Sequence, residues 1–275
     1  MASKKNLLRT LAATAAVLLA TTLAACSGSS VSGDTITAGK LTIGTGNPAY
    51  EPWVVGDAPE SGEGFEAAVA YAVAEKLGFK VADVVWVRTT FDEAIAPGQK
   101  NFDFNLQQYS ITDERKANVD FSSAYYETAQ VVVTVAGSPA ASATSIADLK
   151  GYLLGAATGT TSYDAIGSVI NPTQKAQAFN SNDDAKAALT NGQVDAIVLD
   201  LPTALYASCC ELDGGKIVGQ LPTAAKGDQF GLVLDKGSKL TAAVTKAVDE
   251  LRADGTLAKL EEKWLTADAG VPVLK

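Results

Sequence analysis

Apolar positions along the chain follow two rhythms, one of short β-branched runs and one of helical spacing, and they alternate. Leu41-Thr42-Ile43-Gly44 reads as a strand. Phe65, Val69, Ala72, Val73 and Leu77 then recur at helical spacing and stop at Gly78, a residue suited to a C-terminal cap. Val84 to Val87 and Phe102 to Leu106 predict two further strands, and Gln130 to Val135 a long run too continuous for a half-exposed strand. After Pro139 the pattern restarts. Leu153-Leu154 falls in a strand, Thr160 to Ile170 in a helix, Asp183 to Leu189 in a helix capped by Ser181 or Asn182, and Val194 to Leu199 in a strand. Phe230 to Leu234 follows, and then an amphipathic helix through Leu240, Val244, Ala247, Val248 and Leu251. Such alternation predicts an α/β fold of parallel sheets covered by helices. Ligands of such sheets sit at the carboxyl ends of the strands, where loops and helix amino termini converge.

The amino terminus has a different character. Lys4, Lys5 and Arg9 precede an apolar stretch from Leu7 to Ala25 that contains no acid, the layout of a secretory signal and short for a membrane span. It ends in Leu23-Ala24-Ala25-Cys26, small residues before a cysteine, which resembles a bacterial lipobox. The expectation is a signal peptide over 1–25, lipidation at Cys26 and a small, polar tether over 26–39 reaching roughly 20 Å. Export removes three cations and no anions, taking the net charge from −9 to −12. That balance argues against nucleic acid and against charge-driven binding to an anionic membrane, leaving the lipid as the membrane contact. The chain has no histidine, so the commonest metal ligand and general base are missing; neither a metal nor a cofactor is expected. Cys209 and Cys210 are adjacent. They read as two small apolar residues near a helix end, with a vicinal disulfide as the alternative that an oxidising exterior permits.

Candidate chemistry clusters in three places. In Ser110-Ile111-Thr112-Asp113-Glu114-Arg115, Thr112 suits an N-cap, and Arg115 then lies in a first helical turn, where the helix dipole disfavours a cation. A planar fork of donors beside backbone N–H groups suits a carboxylate, although an exposed arginine paired with Asp113 or Glu114 accounts equally well for the spacing. Gly159-Thr160-Thr161 places glycine and two hydroxyls before a helix, either an anion cradle or an ordinary cap. Asp200 ends the apolar strand Ala196-Ile197-Val198-Leu199, either as an N-cap or as a partner for a cation.

These segments occur in a recognisable order. The lipobox-like start, Asn47-Pro48-Ala49-Tyr50-Glu51-Pro52-Trp53, Gly64-Phe65-Glu66, Ser110 to Arg115, Asp120-Phe121-Ser122, Tyr125-Tyr126, Gly159-Thr160-Thr161, Asp195 to Asp200 and Lys263-Trp264 together resemble bacterial extracellular solute-binding proteins of family 3. The resemblance implies a two-lobed, periplasmic-binding-protein-like (type II) fold. One lobe would span 40–132 plus 227–275 and the other 133–226, with Gln130 to Val135 and Lys226 to Phe230 as hinge strands. It implies a monomeric receptor, anchored by lipid outside the cell membrane, that delivers a polar L-amino acid to an ABC permease. Arg115 would hold the α-carboxylate with the helix start at Thr160 and Thr161, and Thr112 would also contact the ligand. Asp200 would hold the α-ammonium, with Gln108 and Ser110 adding acceptors, while Tyr50 and Phe91 would sandwich the side chain. Asn47 stands where many relatives carry aspartate, and Gln107, Gln108 and Tyr109 stand where small residues are usual. This amide-rich wall suits glutamine, asparagine or glutamate better than a cationic side chain. Arg88 is expected to be solvated. Two other classes are an enzyme of the same fold, a dehydratase recruiting Glu51 or Glu66, and a ligand-sensing module.

Overall fold

The computed structural model describes residues 31–223, 227–265 and 270–275; the amino-terminal segment with Cys26, and Lys226 in the second expected crossing, lie outside them. The chain builds two five-stranded sheets of the same connectivity. The first contains β1 (Leu41–Gly46), β2 (Val84–Thr89), β3 (Phe104–Asn105), β4 (Val119–Thr128) and a late strand, Asp228–Asp235. The second contains β5 (Gln130–Val135), β6 (Leu154–Ala157), β7 (Gln177–Phe179), β8 (Ala196–Asp200) and β9 (Gly215–Gln220); the late strand is β10. Strand order is β2-β1-β3-β10-β4 in one lobe and β7-β6-β8-β5-β9 in the other. The sheets are mixed, whereas alternation alone suggested parallel ones. β1 is parallel to β2 and β3, and β6 to β7 and β8, but β10 and β5 run antiparallel to their neighbours. Those two are the strands reached from the opposite lobe.

Helices cover the sheets because their apolar faces match. In α1 (Phe65–Lys76), Phe65, Val69, Ala70 and Val73 are fully buried against β1, α8 (Thr241–Ala253) and α9 (Thr256–Trp264), in one core with Trp53, Phe104, Phe230 and Leu232. Gly64, at φ 101°, lets this helix start against the Trp53 carbonyl; a β-carbon there would lie 2.5 Å from that oxygen. The second lobe has apolar clusters on both faces of β5, Val132 on one and Val131 and Val133 on the other, which explains the unbroken β-branched run.

The chain crosses between lobes at Ala129, between β4 and β5, and again between β9 and β10. Gln130 to Val135, expected as a crossing, is an inner strand of the second sheet, so Gln130 to Val132 pack with lobe two. The carboxyl terminus also departs from expectation. Residues 270–275 lie on the second sheet: Gln220 N–H donates to Pro272 O at 2.8 Å, Leu274 N–H to Gln220 O at 2.9 Å, and Ile146 N–H to Lys275 O at 3.0 Å. Leu274, 3 % exposed, enters the second lobe's core over Gly219, where any β-carbon would collide with it.

Candidate functional site

The carboxyl ends of the parallel strands of both sheets converge on one cleft with about 150 Å³ of free space. From the first lobe come Asn47 and Tyr50 after β1, Phe91 after β2, and Gln107, Gln108 and Ser110 after β3. From the second come Thr158, Thr160 and Thr161 after β6, Asn180 to Asn182 after β7, and Asp200 at the end of β8.

Arg115 sits on the single-turn helix α3 (Asp113–Lys116). Thr112 Oγ1 accepts the Arg115 N–H at 3.2 Å, so Thr112 fixes the turn and does not itself line the cleft. The arginine is only 7 % exposed. One terminal nitrogen donates to Ser110 O at 2.7 Å; the other crosses to Gly159 O of the second lobe at 2.8 Å. Its guanidinium lies 5.3 Å from the centre of the Phe91 ring, and that ring packs at 4.6 Å on the buried Tyr109. Asp113 is bound by Lys116 instead, so the expected alternative of an exposed Arg115 paired with its own turn does not hold. Burial pulls the Arg115 pKa down, opposed by Tyr109, Asp200, Asp228 and Asp164. Two of five guanidinium donors are engaged, and the cation remains one at any physiological pH.

Thr160 caps α5 (Thr161–Ala165), its Oγ1 accepting from Tyr163 N–H at 3.1 Å, and a π turn carries that helix on to Ile170. Thr161 Oγ1 meets Ser110 Oγ at 3.1 Å, a direct contact between lobes. Asp200 starts α7 (Leu201–Tyr206) without capping it. Its Oδ1 accepts from Gln130 Nε2 at 2.8 Å. Its carboxyl is pushed up to about 7, first by burial and then by the nearby charge of Asp228, while Gln130 and Arg115 pull the other way.

Gln108 adopts φ +52°, rare for a residue with a side chain. Glu66 holds it there, its Oε1 accepting the Gln108 N–H at 2.8 Å and its Oε2 the side-chain amide. Tyr125 O–H completes the shell around this carboxyl, which is 2 % exposed and pushed up to about 7 by desolvation. The Tyr50 hydroxyl reaches Ser181 and Asp183 at the start of α6 (Asn182–Thr190), and burial with the Asp183 charge raises it to about 12. Lys186 Nζ covers one face of that ring at 5.4 Å, so Tyr50 has at most one face for a ligand, which is all a sandwich with Phe91 would need. Asn47 is exposed at the mouth. Arg88, expected to be solvated, pairs with Asp57 and donates to Gly46 O at 2.8 Å behind the loop. Trp53 Nε1 donates to Thr203 Oγ1 at 2.9 Å, another bond between lobes.

Nine of the ten ligand-contact residues expected from sequence therefore share one cleft. Reading the sequence missed the buried Gln130 and the half-buried Asp228 at the two crossings, and the cleft residues Thr90, Asp92 and Ser162. Gln130 opens a strand that is otherwise apolar but for Thr134, a signal that was available.

The model for bacterial extracellular solute-binding proteins, family 3, matches residues 41–267. The chain belongs to that family. An L-arginine-binding protein of Pseudomonas aeruginosa is 31% identical over 228 residues, covering 80% of this chain and 86% of its own. The L-cystine-binding protein TcyJ of Escherichia coli is 30% identical, covering 74% of this chain and 75% of its own. Among solved structures, an ancestral arginine-binding protein bound to glutamine superposes with a TM-score of 0.69 at 35% identity, over 82% of this chain and 97% of the other. The two-sheet α/β fold of this family 3 chain is thus that of periplasmic-binding-protein-like amino-acid-binding proteins.

Proposed function

We propose that this family 3 protein captures a polar L-amino acid of the glutamine, glutamate or asparagine kind between its lobes and delivers it to an ABC importer. The observation that carries the reading is the convergence of a buried guanidinium from one lobe and a half-buried carboxylate from the other on one small cleft. A zwitterion satisfies both at once, and only when the lobes are together. Arg115, with the helix start at Thr160 and Thr161, takes the α-carboxylate. Asp200 takes the α-ammonium, with Ser110 Oγ and the Gln108 amide oxygen as further acceptors. Phe91, one face of Tyr50, and Asn47 surround the side chain. The amide wall of Asn47, Gln107, Gln108, Asn180 and Asn182 offers hydrogen bonds to a polar side chain, with Asp92 the one charged lining group besides Arg115 and Asp200.

The protein acts by binding and not by turnover. It is exported through the segment 1–25, held by lipid on Cys26 at the outer face of the membrane on the 26–39 tether, and works as a monomer beside the permease. Relatives named for arginine and cystine support the α-amino-acid part of this reading. Titration calorimetry of the mature chain against the twenty amino acids tests it. A polar amino acid should bind, and Asp200→Ala should weaken it by at least about 2 kcal/mol, roughly thirtyfold. No binding by any amino acid, or full affinity in Asp200→Ala, overturns the assignment.

A further inference from the structure

Gln130 opens β5 immediately after the first crossing, and Asp228 opens β10 immediately after the second. Gln130 is Asp200's cross-strand neighbour and Asp228 is Thr128's, so the two crossings bring Asp200 of the second lobe and Asp228 of the first to the same point. One amide nitrogen serves both: Gln130 Nε2 donates to Asp200 Oδ1 at 2.8 Å and to Asp228 Oδ2 at 2.7 Å. The two carboxylate oxygens are therefore at most about 5.5 Å apart. A third acceptor, Thr161 Oγ1, lies 3.3 Å from the same nitrogen, and an amide nitrogen has only two hydrogens. Ser162 Oγ donates to Gln130 Oε1 at 2.7 Å, which fixes the amide's orientation, and Ser110 Oγ points to Asp228 Oδ2 at 3.4 Å. Gln130 is 5 % exposed, and neither it nor Asp228 lines the cleft.

We propose that Asp200, Gln130 and Asp228 form a proton-coupled latch at the hinge, in which two carboxylates from opposite lobes share one amide and capture of the ligand's ammonium expels a proton. The inference rests on the amino-acid reading and extends it to how the site is regulated. With one buried amide shared between the two acids, the Asp228 charge opposes ionisation of Asp200 unless a cation stands between or beside them. The charged groups around Asp200 are Asp228 on β10, Arg115 on α3 and Glu66 on α1, with the Tyr125 hydroxyl on β4. Only Arg115 is a cation, and it is the group directed at the ligand's carboxylate. A proton on Asp200 relieves the pair before the ligand arrives. The incoming ammonium replaces it: the Asp200 carboxylic O–H breaks, the carboxylate pairs with the ammonium, and the proton passes to solvent. Gln130 and Asp228 are thus positioning residues that set the acidity of the ligand-contacting acid without touching the ligand. The receptor binds well in neutral or alkaline surroundings and poorly in acid.

The test is calorimetry of the full mature chain with its tightest amino acid from pH 5 to pH 8.5, repeated at pH 7 in buffers of different ionisation enthalpy. With Asp200 pushed up to about 7, the wild type should release about half a proton per ligand at pH 7, and its Kd should rise about a hundredfold from pH 8.5 to pH 5. Asp228→Asn, an isosteric change outside the cleft, should narrow the ratio of Kd at pH 6 to Kd at pH 8.5 by at least about threefold. Gln130→Met removes the shared donor and should widen it. A mutant that only loosened the fold would change Kd by the same factor at every pH. Wild-type binding with no proton release, or an Asp228→Asn profile superimposable on wild type, overturns the latch and leaves the amino-acid reading standing. Absence of any amino-acid ligand overturns both.

Discussion

Arg115→Lys keeps the positive charge and removes the fork, so it isolates what the guanidinium geometry contributes. In the wild type the two terminal nitrogens reach Ser110 O at 2.7 Å and Gly159 O at 2.8 Å on different lobes, and the plane packs over Phe91 at 5.3 Å. A lysine ammonium is one nitrogen. It cannot satisfy carbonyls on both lobes and also present a parallel pair of donors to a carboxylate. At least one charge-assisted hydrogen bond is lost, and that class is worth about 1.5–3 kcal/mol, so Kd should rise roughly tenfold to 150-fold. Arg115→Met removes the charge too and should bind more weakly still, because the ligand carboxylate is then buried unpaired. The assay is calorimetry with circular-dichroism melts as a control, since α3 is held by Thr112 whatever follows in the turn. If Arg115→Lys bound within twofold of wild type, bidentate recognition by this residue would be wrong. If Arg115→Met did so as well, the carboxylate site would lie elsewhere.

Other consequences are separable. Thr203→Val is isosteric and strips the acceptor from Trp53 Nε1, leaving a buried N–H unpaired only when the lobes meet. Apparent Kd should rise roughly tenfold with a larger radius of gyration in scattering, and an unchanged Kd would refute a closing role for that bond. Glu66 is pushed from 4.5 up to about 7, so the native state holds its proton more tightly than the unfolded chain. Its stability contribution is complete below about pH 4.5 and is lost as pH rises through 7, up to about 3 kcal/mol. The melting temperature of Glu66→Gln relative to wild type should therefore climb between pH 4.5 and 8, and a constant difference would count against it. Cys209 and Cys210 are joined by a disulfide on the surface, in place of the free apolar pair expected from sequence. The denatured, unreduced mature chain should show no free thiol and the reduced chain two; thiols before reduction would contradict the bond.

Local signals sufficed where one element carries the chemistry. Thr112 before Asp113-Glu114-Arg115 and Gly159 before Thr160-Thr161 are caps, and caps can be read within four residues. β6 and β8 are buried on both faces and show as runs of apolar and small residues, whereas β1, equally buried, carries Thr42 and Thr45. β4 was not recognised as a strand because its buried positions, interrupted by two register shifts, fall three apart rather than two. β9 is masked by Gly215 and Gly219, each pressed against another segment that leaves no room for a β-carbon. Residues 270–275 carry no regular pattern, and their lobe shows only in the structure, through their pairing with Gln220 and the place of Leu274 in the second core. The Asp200–Gln130–Asp228 cluster spans 98 residues between its outermost hydrogen-bonding partners. Antiparallel register across two crossings brings them together, and no spacing rule along the chain encodes that.

Direct contacts and buried charge act on closure in opposite directions. Trp53 with Thr203, Ser110 with Thr161, and Arg115 with Gly159 each join the lobes, and bonds of this kind contribute about 0.5–1.5 kcal/mol apiece. Together they reach a few kcal/mol. Opposing them is the cost of enclosing Asp200 as an anion, which its shift from 3.8 to about 7 places near 4 kcal/mol. The two sides nearly balance, so neither state dominates by a wide margin without a further cation. On the proposed reading an α-ammonium beside Asp200 removes most of the opposing cost, while an α-carboxylate on Arg115 adds to the favourable side. A ligand carrying only one of these groups shifts the equilibrium by its half alone. A decarboxylated or deaminated analogue of the tightest amino acid should therefore compact the protein less completely than the amino acid itself, a result that scattering with each ligand at saturation can read directly.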